Sequence, residues 1–179
     1  MKRLKRKIFS HSGVTLVETL TAVLILALLS GIILVGSRSM LTVYQGHTFA
    51  NESAMVSDTI NTALSDVLRY AVPDGEKYTN TVYQFSGSYL RIREGKIWLP
   101  GDGKQTGLLN SGAYSSLYVL AGDVTEPPDD PINYSGTVPL STAADNPGVI
   151  SGSYRLYDPF SGKLSDPITF SYRMVNADA

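Results

Sequence analysis

Between Val14 and Val35 the chain reads VTLVETLTAVLILALLSGIILV, 22 residues whose only ionisable side chain is Glu18. A helix of that length rises roughly 33 Å, enough to cross the hydrocarbon core of a bilayer. Ahead of it, Lys2, Arg3, Lys5, Arg6 and Lys7 put five cations into the first seven residues. Positive charge on that side holds the amino end in the cytoplasm and sends everything after Val35 outside. A secretory signal also starts basic, but its apolar core is shorter, about 7–15 residues, and a small-residue cleavage site follows it. Here Gly13 precedes the run, and Gly36-Ser37 is a weak small pair behind it. The segment reads as a single-pass anchor.

Glu18 is the sharper feature. An isolated carboxylate in hydrocarbon costs a few kcal/mol or more, so an intramembrane acid is paired, protonated or shallow. The span offers no basic residue as a partner. Its surroundings resemble the amino terminus of the type IV pilins and pseudopilins. Precursors in that family carry a short basic leader ending in Gly, then an apolar residue, commonly a Thr, two more apolar residues and a Glu, ahead of a long apolar helix. KRLKRK supplies the leader, and Gly13, Val14, Thr15, Leu16, Val17 and Glu18 follow in that order.

The resemblance implies that residues 1–13 are a leader, cut off between Gly13 and Val14 by a membrane prepilin peptidase that also methylates the new amine of Val14. It implies that Glu18 pairs with the amino-terminal nitrogen of a neighbouring subunit, with Thr15, Leu16 and Val17 sharing the assembly surface. A polar pair buried only on assembly acts as a register device. Other pilin subunits, an assembly platform, an ATPase and membrane lipid are the partners so implied. The chain is then placed first in the cytoplasmic membrane and later in a cell-surface, periplasmic or cell-wall filament. Val14 stands where abundant pilins most often have Phe, and Val35 where many have a helix-kinking Pro. Both departures point to a minor pilin or pseudopilin.

Beyond the transmembrane half, taken as residues 14–36, an extracytoplasmic half is expected over 37–72. Val56, Ile60, Ala63, Leu64, Val67, Leu68 and Ala71 recur there at spacings of three and four. Pro73 and Gly75 stop it. Ser30, Gly31, Gly36 and Gly46 are its weak points, and a bend near Gly31 is expected.

From Tyr78 the period changes to two, and residues 76–179 read as a β-rich domain. Tyr89–Arg93, a Glu94-Gly95 turn and Lys96–Leu99 form a hairpin pairing Arg93 with Lys96, Ile92 with Ile97, Arg91 with Trp98 and Leu90 with Leu99. Arg91 and Trp98 make a candidate cation over an indole. Ser116–Leu120 reads as a middle strand. Ser153–Tyr157, a turn at Asp158–Gly162 and Ile168–Val175 read as a second hairpin. The Pro- and Asp-rich stretch 123–147 reads as a surface loop, and 101–107 as a flexible connector. The fold class expected is α+β: a long helix, half transmembrane, laid on a small antiparallel sheet.

Composition narrows the chemistry. With five of the fifteen Lys and Arg in the leader, ten remain against sixteen acids, a net of −6, which argues against nucleic acid as a partner of the folded domain. The absence of cysteine excludes disulfides, thiolate metal sites and cysteine nucleophiles. His47 is the sole histidine after the leader, no G-x-S-x-G elbow is present, and Gly101–Gln105 lacks the spacing of a phosphate loop. Asp123, Glu126, Asp129 and Asp130 crowd oxygen ligands, but at a spacing that fits no standard calcium loop. The expectation is a non-enzymatic filament subunit without cofactor or metal. The competing expectation is a membrane-tethered extracellular binding module that does not polymerise.

Overall fold

The structure is a computed structural model that describes residues 15–101, 103, 105–143 and 146–175. Its first element is α1, Leu16–Arg69, an unbroken helix of 54 residues. The chain divides into two compact units, the first closing at Tyr44 and the second opening at Gln45. Leu16–Tyr44 is exposed along its whole length. An apolar helix exposed all round needs lipid or another chain to cover it. The helix is not interrupted at its expected weak points: it continues through Gly31, Gly36 and Gly46, because a lone glycine costs only about 1 kcal/mol and leaves the ladder intact.

In the second unit the helical stripe is the core's spine. Val56, Ile60, Leu64, Val67 and Leu68 are buried, each at 0–1% exposure. Packed on it are three antiparallel sheets. The first joins β1 (Val72–Asp74), β2 (Lys77–Asn80) and β3 (Phe85–Gly87) in that order. The second is built on the hairpin of β4 (Tyr89–Arg93) and β5 (Lys96–Leu99), with β6 (Thr106–Gly107) beyond β5. A short 3-10 turn, Ser111–Tyr114, leads to β7 (Tyr118–Ala121). β8 (Ser135–Pro139) then closes the second sheet against β4. β9 (Ser141–Ala143) opens into β10 (Asn146–Asp158), the 13-residue centre of the third sheet. β10 pairs with β7 and β9, and also with β11 (Lys163–Leu164) and β12 (Ile168–Arg173).

The first hairpin keeps the register read from the sequence, Arg93 opposite Lys96, Ile92 opposite Ile97 and Arg91 opposite Trp98. Glu94 and Gly95 both have positive φ, as a two-residue type I′ turn requires. The hairpin pairing runs as far as Arg91–Trp98, and on the other edges of these strands Leu99 pairs with Thr106 of β6 and Leu90 with Val138 of β8. The Trp98 indole N–H donates to the Arg93 carbonyl at 3.3 Å.

The stretch 123–147 is not one loop: β8, β9 and the start of β10 fall inside it. Its Ser, Gly and Pro content hid β8. That strand lies at the sheet edge, where Pro139 removes no needed donor, and a single Val138–Leu140 alternation supplies its buried face. Likewise the connector 101–107 ends in β6. Ser116–Leu120, read as a middle strand, pairs in the third sheet only with β10, and its pairing starts at Tyr118.

Side chains from the sheets finish what the helix leaves open. The last carbonyls of a helix have no partner within it. Asn80, 4% exposed, donates its Nδ2–H to the Val67 carbonyl at 2.7 Å, Ala71 N–H donates to Leu68, and Val175 N–H donates to Arg69. The Asn80 Oδ1 accepts from Val82 and Tyr83 N–H, holding the β2–β3 turn. Further up the helix, the Tyr154 hydroxyl donates to Ser57 O or Asn61 Oδ1 and Tyr172 donates to Asn61 O at 2.8 Å. On the same face of β12 as Tyr172, the Phe170 ring stacks on the Tyr172 ring and lies against Gly152, filling space that any side chain there would contest.

Two tests follow from this packing. Asn80→Ala leaves the Val67 carbonyl and two turn N–H groups unpaired, and should cost about 2–3 kcal/mol in denaturant unfolding of the full chain followed by Trp98 fluorescence. Burial pushes the phenol of Tyr114 from 10.0 up to about 12, opposed in part by the Ile97 N–H it accepts; burial likewise raises Tyr154 and Tyr172. A pKa raised on folding means the stabilisation is whole below pH 10 and is lost as pH climbs from 10 through 12. Tyr114→Phe should flatten that decline by on the order of 2–3 kcal/mol in unfolding curves taken across the interval.

Candidate functional site

The residues singled out at the amino end are Gly13, Val14, Thr15, Leu16, Val17 and Glu18. Gly13 and Val14 lie outside the described residues. The other four form the start of α1. Thr15 accepts from the Glu18 N–H twice, at its carbonyl (3.0 Å) and at its Oγ1 (3.3 Å), and its carbonyl also accepts from Thr19 N–H at 3.1 Å. Thr15 is therefore the cap, and Thr15-Leu16-Val17-Glu18 has the T-x-x-E pattern of a capping box with Glu18 at its third helical position. A carboxylate in the first turn also faces the positive end of the helix dipole. Leu16 and Val17, 82% and 73% exposed, offer large apolar side chains beside it.

The other polar groups of the apolar stretch are satisfied within the helix. Thr19 Oγ1 donates to Leu16 O, Thr21 Oγ1 to Val17 O and Ser30 Oγ to Leu26 O, all at 2.7–2.8 Å. Such back-bonding lets a hydroxyl enter lipid without an orphan donor. Glu18 stands apart, since among the described residues no side chain donates to its carboxylate. The segment thus presents one unspent polar group on an otherwise self-satisfied apolar helix.

The remaining candidates do not assemble. His47 is exposed. Among the described residues no three of His, Cys, Asp and Glu come together as metal ligands. Within the acidic loop, Asp130 spends its oxygens on Ile132 N–H, Asn133 N–H and Asn133 Nδ2–H, and the Asn133 amide bond above all holds its carboxyl below the usual range.

One feature escaped the sequence reading: Ser115 has φ 53° and ψ −127°. With Leu117 N–H donating to Tyr114 O at 3.0 Å, it occupies the first central position of a II′-like turn, a place usually held by glycine. The only signal available was two small polar residues, Ser115-Ser116, wedged between the buried Tyr114 and Leu117.

No family model, curated protein or solved structure matches this chain. What the fold defines is an α+β protein whose amino-terminal helix is long and apolar enough to cross a membrane, an arrangement that fits a single-pass membrane protein.

The capping geometry has a direct test. Thr15→Val removes the cap oxygen and should cost about 1 kcal/mol of local helix stability, seen as faster amide exchange at Glu18 and Thr19 with little change beyond Val23.

Proposed function

We propose that this chain is a minor pilin or pseudopilin, a non-enzymatic structural subunit of a type IV pilus-like filament. The observation that carries the reading is Glu18. It is the one polar side chain of the apolar helix with no partner in its own described chain, and it stands five residues past the Gly13-Val14 junction where the family's cut would fall. Cleavage there would create a cation at the amino end of the same helix. A second subunit's amine would then neutralise Glu18 as helices gather, satisfying a group that is costly alone in lipid. The exposed apolar surface of Leu16–Tyr44 supports the same reading, since lipid covers it before assembly and neighbouring helices cover it afterwards.

The capping box supplies a rival role for Glu18, that of starting the helix. Glu18→Gln separates the two: glutamine serves in a capping box as glutamate does, but it cannot neutralise an amine. Co-expression with a cognate prepilin peptidase should give a protein whose intact mass and first residue correspond to methylated Val14. In a piliated host, Glu18→Gln should process normally yet drop out of sheared surface filaments. An uncut chain, or a Glu18→Gln protein incorporated at normal levels, would leave the tethered binding module as the reading to pursue.

A further inference from the structure

A groove of about 340 Å³ opens on the second unit between the β4–β5 turn, the segment before β7 and the Asp130 turn. Glu94, Lys96, Ser115, Tyr118, Ile132 and Asn133 are among the residues that line it. Its frame is fixed on every side. Val119 N–H donates to Gly95 O at 2.8 Å, and the Tyr118 ring sits so close on Gly95 that a side chain there would collide with it. Asp130 holds Ile132 and Asn133 by three hydrogen bonds, and among the described residues nothing donates to the Asn133 Oδ1. Ser116 Oγ donates to Glu52 at 3.4 Å, tying the rim to the helix.

Two properties distinguish this groove from a packing crevice. Ser115 holds a conformation that costs a non-glycine residue on the order of 1–3 kcal/mol, and such strain gathers where a side chain is needed in place. Lys96, half-buried in the wall, has no carboxylate within ion-pair distance among the described residues. Tyr, Ser, Gly and Asn are also the residue types from which adaptable binding loops are built, with rigid aromatic contact beside hydroxyls and amides that both donate and accept. The volume is at the lower end of the range for small-molecule sites.

We infer that this groove binds a neutral saccharide, one or two pyranose rings of a glycan. Charge around the groove is balanced: Glu94 is ion-paired to Arg93 at 3.5 Å, and Lys96 is offset by Glu52 behind Ser116. Neither an anion such as phosphate nor an amine meets an excess of opposite charge there. A sugar ring carries hydroxyls that accept from Lys96 and the serines and donate to Glu94 and Asn133 Oδ1, and its C–H face packs on the Tyr118 ring. The inference is independent of filament assembly, since the groove lies wholly within the second unit.

The test uses the full-length, 15N-labelled chain in lipid nanodiscs, which avoids sugar-headed detergents. Glucose, galactose, mannose, N-acetylglucosamine and their disaccharides are titrated separately, with inorganic phosphate and glycylglycine as the competing chemistries. The expected result is saturable shifts of the Gly95, Ser115, Tyr118 and Asn133 amides with at least one saccharide and none with phosphate or dipeptide. Lys96→Met should weaken that saccharide about tenfold, the worth of one hydrogen bond to a charged group. Ser115→Gly should raise the melting temperature by relieving the turn while weakening the saccharide severalfold. Silence to every saccharide, shifts with phosphate or dipeptide alone, undiminished binding in both variants, or a lowered melting temperature for Ser115→Gly would overturn the assignment.

Discussion

One helix face organises the second unit. Val56, Ile60, Leu64, Val67 and Leu68 cannot be left in water, and the sheets are arranged to cover them. That contact is hydrophobic in energy and polar in precision. Burial of apolar area supplies the attraction, whereas Tyr154, Tyr172 and Asn80 reach from β10, β12 and β2 to particular helix carbonyls and so fix where along the helix each sheet sits. The C-terminal carbonyls of α1 end up bonded to groups as remote as Val175, which makes the helix end and the segment just past β12 mutually dependent.

The first unit follows the opposite logic. From Leu16 to Val35 its side chains are apolar save Glu18 and the hydroxyls of Thr19, Thr21 and Ser30, which are bonded back to the helix's own carbonyls, and all of them are exposed among the described residues. A segment of this kind is completed by its surroundings, and on the function proposed above Glu18 is the point at which those surroundings would be specific. Its dual character is physically consistent. The first turn of a helix is where a carboxylate is least unfavourable, because of the cap geometry and the dipole, so a chain that needs an acid for intermolecular pairing can place one there with least disturbance to the helix.

Much of this was legible in the sequence because it depends on local periodicity. The apolar span, the 3–4 spacing of the helical stripe and the Glu94-Gly95 turn with its register are short-range patterns, and the structure reproduces them. The strands β8 and β9 were not legible, since SGTVP and STA carry turn-forming residues and become strands only because β4 and β10 offer them an edge. The hairpin signal covered only the shared edge of β4 and β5; that β8 joins the far edge of β4 at Leu90 and β6 the far edge of β5 at Leu99 depends on segments remote in the chain.

The candidate sites divide the same way. Glu18 and its neighbours are contiguous, so sequence alone determined that a carboxylate sits one turn into a membrane-length helix behind a Gly-Val junction. The groove around Ser115 gathers residues from positions 94 to 133, and the strain at Ser115 is a property of φ and ψ that no residue type announces. Only tertiary structure decided that, because the I′ turn, the II′-like turn and the Asp130 turn lie far apart in the chain and converge only once β7 is pinned to Gly95.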